Sequence, residues 1–306
     1  PFDFTRSSSA TTLNRQGLIE TVPSGKPRID FLNNTSGHLL LEPSRSNYVT
    51  YSNGFTDSSW LPTGATVVSG VISPDGTSNA FTLSNTASSG IIQKAVSLTG
   101  LRVVSIFAKK GTHRYLRIGA YGGTNSYANF DLEKGVVTDV ANANIEDYGN
   151  GWFRCICHSA DGTTGGVQIF PSNNTTGSAT TNGSIQIYGV QLEQGTYPTS
   201  YIPTSGSAVT RVKDTCNQTP PSGIIGQTEG VMYFQTNSLL PSGTRSIALA
   251  YTSGSSYYQI YFTSSNEIRV DVNGSLLVIS SSINLNILNK IAFAYKSGDN
   301  ALYING

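Results

Sequence analysis

The chain has 306 residues and a formal net charge of +1, and only 12% of its residues are charged, against roughly 25% in an average soluble domain. It has no run of five like charges, which argues against nucleic acid as a partner, and no apolar stretch near the roughly 18 residues that span a bilayer as a helix, so no membrane insertion is expected. Aromatics at 10% and recurrent β-branched runs supply enough apolar surface to fold, and the length suits about two domains.

Residues 1–46 contain too few regularly spaced apolar residues to fold alone and are expected to run as an extended N-terminal strap. The chain opens on Pro1 rather than Met, which leaves a preceding segment open. From about residue 47 to 205, helical periodicity is nearly absent and strand signatures recur. "LRVVSIFAKKG", "RYLRIGAYGG", "YANFDLEKGVV", "GWFRCICHSADG", "GGVQIF" and "SIQIYGVQLE" are short runs bounded by Gly, Asn, Asp and Ser, the spacing of an antiparallel sandwich. "DLEKGVV" reads as a hairpin turn. In "FRCIC" the alternation sets Phe153, Cys155 and Cys157 on one face, where free cysteine packs as a small hydrophobe. With only Cys216 besides these, and no CxxC or paired histidines, neither a disulfide framework nor a zinc site is indicated, which is compatible with intracellular assembly.

In "QIYGVQLE" the strand alternates Ile185 and Ile187 against Gln186 and Tyr188. Pro198 and Pro203 cannot donate ladder hydrogen bonds, so the chain must leave the sheet there, and strap 1–46 is the expected companion of this tail, on the same domain or on a neighbouring subunit. Residues 206–227, with Pro220-Pro221, read as a linker. A second strand series fills 228–306, with Asn273-Gly274 its strongest hairpin signal. It stops in mid-pattern at Gly306, so this sandwich is expected to be incomplete and more chain to follow. The fold class that results is all-β: two antiparallel β-sandwich domains behind an extended N-terminal segment.

"FTRSSSATTLNRQGLIETV", "KPRIDF", "LLLEPSRSNYVTYSNGF", "SIFAKKG", "GNGWFRC" and "YGVQLEQGTYPTSYIPTSGSAVTRVKDTC" occur in this order over the first 216 residues. Together they resemble a module recurrent in bacteriophage tail and virion proteins, in which residues 47–204 are similar to a carbohydrate-binding module of the jelly-roll type. "EGVMYFQ" and "NKIAFAYKSGDNALYING" resemble a concanavalin A-like or laminin G-like sandwich. The resemblance implies a virion protein, a tail fibre or spike, that recognises a host-surface glycan, contacts other virion proteins and assembles as a homotrimer, in which three weak sites gain avidity. A purely structural module, such as a fibre joint, baseplate part or capsid decoration, is the competing class.

Sugar recognition needs aromatic faces to stack on pyranose rings and planar polar side chains for the hydroxyls. Alternation in "RYLRIGAY" places Tyr115, Arg117 and Tyr121 on one face, and in "WFRCICH" places Trp152, Arg154 and His158 on another. Gln168 with Phe170, and Gln186 with Tyr188, would extend the same surface if these strands share a sheet. The ligand-binding candidates are therefore Tyr115, Arg117, Tyr121, Arg154, His158, Gln168 and Tyr188. The simpler alternative for each is ordinary cross-strand packing, and Trp60 and Trp152 fit core or rim positions better than a stacking role.

No cofactor is called for. The resemblance allows a structural calcium ion, with Glu42, Asp131 and Glu193 as its carboxylate candidates. His38, His113 and His158 are scattered, and no GxSxG, HExxH or phosphate-cradling motif occurs. The carboxylate pairs Asp131/Glu133 and Glu146/Asp147 read as turn-flanking acids, so the chain is not expected to be an enzyme; a depolymerase in chain beyond Gly306 is the lesser alternative.

Overall fold

The structure is a computed structural model. It describes residues 3–122, 126–138, 142–159, 163–177, 179–217, 228–236, 245–253, 256–263, 267–272, 275–279, 283–284, 287–296 and 298–306, with backbone alone at 163–164, 245–253, 256–258 and 277–279. The chain divides into two compact units, Pro1–Gln218 and Thr219–Gly306. Regular structure among the described residues is all β, and the strands pair antiparallel.

Two six-stranded sheets form the body of the first unit. Sheet I runs in spatial order Val136–Val137, Ser126–Asp131, Tyr115–Tyr121, Thr163–Ser172, Ile91–Thr99, Trp60–Thr63. Sheet II runs Ala143–Asp147, Trp152–Ser159, Arg102–Lys110, Gly183–Gln194, Ala80–Asn85, Ala65–Val71. Every second residue of each central strand faces the other sheet: Leu116, Ile118, Phe130 and Ile169 from sheet I meet Val104, Ile106, Cys155, Cys157, Ile185 and Ile187 from sheet II in one apolar cluster. Phe153 packs at the edge of this cluster, and all three cysteines are free. Trp60 enters the same core at the start of its strand and donates Nε1–H to Tyr51 O at 3.1 Å. The "DLEKGVV" turn closes as read, because the Asp131 carboxylate accepts the amides of Glu133 and Lys134 while Phe130 pairs with Val137.

Residues 3–46 are extended but not unpaired. They form two short hairpins, Ala10–Leu13 with Ile19–Val22 and Arg28–Asp30 with His38–Leu40. The first turn is tied by Asn14 Oδ1, which accepts the amides of Gln16 and Leu18 at 3.0 Å each. The tail after Pro198 does run alongside this strap: Asp3–Thr5 pairs with Thr215–Asn217, Arg45–Asn47 pairs with Val209–Arg211, and Thr11 Oγ1 donates to Tyr201 O at 2.6 Å. Strap and tail together cover the outer face of sheet II. A second apolar cluster forms there from Leu13, Ile19, Ala80, Phe107, Trp152, Tyr188 and Tyr201. The central strands of sheet II, Arg102–Lys110 and Gly183–Gln194, are therefore buried on both faces, whereas the edge strand Ala65–Val71 stays open on one and sheet I leaves its outer face half-exposed.

The second unit contains a three-stranded sheet, Glu229–Thr236, Asn289–Lys296, Ala301–Ile304, and a four-stranded meander, Arg245–Ser253, Ser256–Phe262, Ile268–Val272, Ser275–Ile279. Ile260, Phe262, Ile268 and Val270 of the meander cluster with Ile291, Phe293 and Tyr295 of the other sheet. Val272 pairs with Ser275 around the expected Asn273-Gly274 turn; those two residues, like Pro220-Pro221, lie outside the described ones.

Candidate functional site

The outer face of sheet I gathers four of the seven expected binding residues. Leu116, Ile118 and Ala120 are fully buried, which turns Tyr115, Arg117 and Tyr121 outward. On the next strand Val167 and Ile169 point inward, so Gln168 and Phe170 join the outward set. The register aligns them in rows. Arg117 lies between Asn129 and Phe170, Gly119 between Tyr127 and Gln168, and Tyr121 opposite Gly166.

Hydrogen bonds link the middle row across four strands: Tyr127 Oη donates to Gln168 Oε1 at 2.5 Å, and Gln168 Nε2 donates to Gln93 Oε1 at 2.8 Å. The first of these passes over Gly119. A Cβ there would sit 2.0 Å from Ser126 O and 2.7 Å from Tyr127 Cδ1, so the low floor beneath the row requires glycine. On one side of the row the Tyr121 ring rests against Gly165 and Gly166. On the other, the Arg117 guanidinium carbon is 4.4 Å from the Tyr127 ring centre and 5.6 Å from that of Phe170. The loop after Phe170 crosses the stem of Arg117, bringing Thr176 O within 3.3 Å of Nη1. Gly177 makes this passage at φ +81°, where a Cβ would lie 2.3 Å from Arg117 Cδ. The face is thus a half-buried surface of aromatic rings, amides and one guanidinium. Tyr115 stands at its end beside Arg114, whose guanidinium is 5.3 Å from its ring centre.

Arg154, His158 and Tyr188 do not join this surface. Their strands belong to sheet II, and alternation turns the three side chains to that sheet's outer face, beneath strap and tail. Arg154 is buried and donates through Nη2 to Ser105 Oγ at 3.0 Å and Thr199 O at 2.6 Å. Tyr188 is buried and donates Oη–H to Asp75 Oδ2 at 3.0 Å. Burial and the neighbouring Tyr201 and Asp75 push its hydroxyl far up. His158 is half-buried; its pKa is lowered by burial, against a hydrogen bond with the Thr196 backbone. Gln186 projects from the same strand as Tyr188. The side-chain direction expected from alternation holds at each position, but the strands lie in different sheets, so one continuous wall does not form. Tyr127 and Gln93 complete the wall that does. Alternation in "YANFDL", with Ala128 and Phe130 inward, is the sequence signal for Tyr127.

Of the three calcium candidates Asp131 lies in sheet I, whereas Glu42 and Glu193 accept the amides of the adjacent residues Ser200 and Thr199; each is held by protein donors. Glu42 accepts from Arg28, Arg211 and Ser200, Asp131 from both arms of the Arg114 fork, and Glu193 from Gln191 and Thr199. No group of three or more His, Cys, Asp or Glu side chains suited to a metal ion occurs among the described residues. Glu133 shares Arg114 with Asp131 and pairs with Lys110, while Glu146 is half-buried near Arg154 and Asp147 accepts the Gly149 amide. The two carboxylate pairs considered for hydrolysis are therefore a surface salt-bridge network and a strand end. No protein-family model matches the chain, and no curated protein matches it either.

Proposed function

We propose that this chain is a virion adhesin that binds a host-surface polysaccharide through the outer face of sheet I. The observation that carries the proposal is the row Tyr127–Gln168–Gln93, flanked by Tyr121 on one side and Arg117 with Phe170 on the other. Rings offer apolar faces to the axial C–H groups of pyranoses, and the amides and guanidinium offer planar donors and acceptors to hydroxyls. Single-site affinity is expected to be weak and to gain from a homotrimeric virion assembly. No hydrolytic step is assigned to this face, since Asp131 at its margin is bound by Arg114.

A glycan array probed with the wild-type chain and with a Tyr121→Ala/Arg117→Ala double variant tests the proposal. Loss of the wild-type signals in a variant that still unfolds cooperatively is the expected result. Undiminished binding by the variant would move the site elsewhere. The competing structural role has one observation in its favour. In the second unit Val231 (65% exposed), Tyr233 (57%) and Tyr303 (55%) lie on one face of the three-stranded sheet, an apolar patch of the kind that packs on other proteins.

A further inference from the structure

We infer that the sheet I surface selects acidic polysaccharides, with Arg117 as the hook for a sugar carboxylate; this rests on the glycan-binding reading above. Arginine carries five N–H donors in a planar fork. For Arg117 one is used, and weakly: Nη1 reaches Thr176 O at 3.3 Å, while Nε is buried with no hydrogen-bond partner. No described carboxylate pairs with it. Arg6, Arg28, Arg211 and Arg114 by contrast each hold an Asp or Glu, and the buried Arg154 instead spends its fork on Ser105 Oγ and Thr199 O. A half-buried cation is ordinarily paired, because desolvation without compensation is costly.

The surroundings explain how Arg117 is held without a counter-ion. The Tyr127 and Phe170 rings lie within cation–π range, and the Gly177 backbone closes over its stem. These contacts fix the side chain without using the terminal fork, whose hydrogen bond to Thr176 is solvent-exposed. The other outward residues around it add no negative charge. Tyr115, Tyr121, Tyr127, Asn129, Gln168 and Phe170 are neutral, and Asp131 is neutralised by the Arg114 fork. Among the described residues the surface therefore carries one uncompensated positive charge on a pre-oriented bidentate donor, set beside stacking rings. A carboxylate matches that fork with two parallel hydrogen bonds, and a uronic or sialic acid supplies it on a ring that can stack on Tyr121 or Tyr127.

The test uses the full chain, with polygalacturonate and polysialic acid as probes beside the same polymers after chemical reduction of their carboxyl groups. At least one acidic polymer is expected to bind about tenfold or more tightly than its reduced, neutral form, with binding that weakens as salt rises. Arg117→Met keeps the stem but removes the fork, and should abolish this discrimination. Tyr121→Ala should weaken acidic and neutral forms alike. Equal binding of acidic and reduced polymers by the wild type, or discrimination that survives in Arg117→Met, would overturn the acid preference and leave glycan binding standing. Failure of the wild type to bind either polymer in either form, or any glycan on the array, would overturn both.

Discussion

Arg28 and Asp214, 186 residues apart, form an ion pair in which neither side chain has any solvent exposure. Asp214 also accepts from Arg6 Nη1 at 2.9 Å and from the Glu42 amide at 2.9 Å, while Glu42 takes Arg28, Arg211 and Ser200. Three guanidiniums thus share two carboxylates at the junction of strap and tail. Burying charges is costly, and each removal leaves the rest uncompensated. Asp214→Ala should therefore cost about 3–5 kcal/mol, since three guanidiniums would be left with Glu42 as their one carboxylate in this cluster. Urea unfolding measures this, and a change under about 1 kcal/mol would mean that solvent reaches the cluster.

Acid acts on the strap in two opposite ways. Burial pushes the Glu42 carboxyl up, but Arg211, Arg28 and two hydrogen bonds from Ser200 outweigh it and hold it below its ordinary 4.5. The stability it contributes is complete above pH 4.5 and is lost as pH falls through its lower folded value. Glu146 and Glu193 behave the other way. Burial raises both above 4.5, opposed by Arg154 for Glu146, and by Thr199, then Arg154, for Glu193. Their folded forms hold a proton that the unfolded chain has released, so stability rises as pH drops from neutral toward 4.5. His113 and His158, lowered from 6.5 chiefly by burial, act against the two acids, because a folded state that resists their protonation loses stability as pH falls below 6.5. The acid contribution is therefore read by substitution: Glu146→Gln should lose stability relative to the wild type as pH drops from neutral toward 4.5, with the limb below pH 4.5, set by Glu42, unchanged, and a difference independent of pH would mean that Glu146 keeps its ordinary proton affinity in the fold.

The strands from Arg102 to Gln194, their side-chain direction and the pairing of strap with tail were legible in local patterns, whereas Trp60–Thr63, Ala65–Val71, Ala80–Asn85, Ile91–Thr99 and the two strap hairpins were not read. Each legible feature rests on alternation or on proline chemistry, which need only a few neighbouring residues. Sheet membership was not legible. Arg102–Lys110 and Tyr115–Tyr121 are separated by only four residues, a spacing that reads as a hairpin, yet they lie in opposite sheets. Nothing in the two runs marks the crossover, because inward Val, Ile and Ala look the same from either sheet. The ion cluster escaped for a related reason. Arg6, Arg28, Arg211, Glu42 and Asp214 are scattered over some two hundred residues, and each taken alone resembles a solvated surface charge.

Strap removal tests whether sheet II can stand alone. Phe107, Trp152, Tyr188 and Tyr201 are nearly inaccessible in the second apolar cluster, and Leu13 and Ile19 of the strap close it. Deleting residues 1–46 would uncover these rings and orphan Arg211 from Glu42. With roughly 1.5–3 kcal/mol for each large side chain returned to water, the truncated chain should bind a hydrophobic dye and aggregate at temperatures where the full chain is soluble. A monodisperse truncated protein without dye binding would mean that the tail alone covers sheet II.

The two outer faces should answer to different measurements. Tyr188→Phe removes one donor to Asp75, whose carboxyl burial raises but whose hydrogen bonds from Ser73, Thr77 and Asn79 bring down to about 2. The expected cost is about 1 kcal/mol of stability and, on the proposed glycan-binding reading, no change in glycan affinity, because Tyr188 lies under the strap. Tyr121→Ala changes a half-buried ring on the open sheet, so it should leave stability within about 1 kcal/mol and reduce glycan affinity instead. Measuring both variants by urea unfolding and by binding to one responsive polysaccharide gives a two-by-two comparison. If Tyr188→Phe weakened binding as much as Tyr121→Ala did, sheet II rather than sheet I would carry the sugar, and the strap would have to part from it for the ligand to enter.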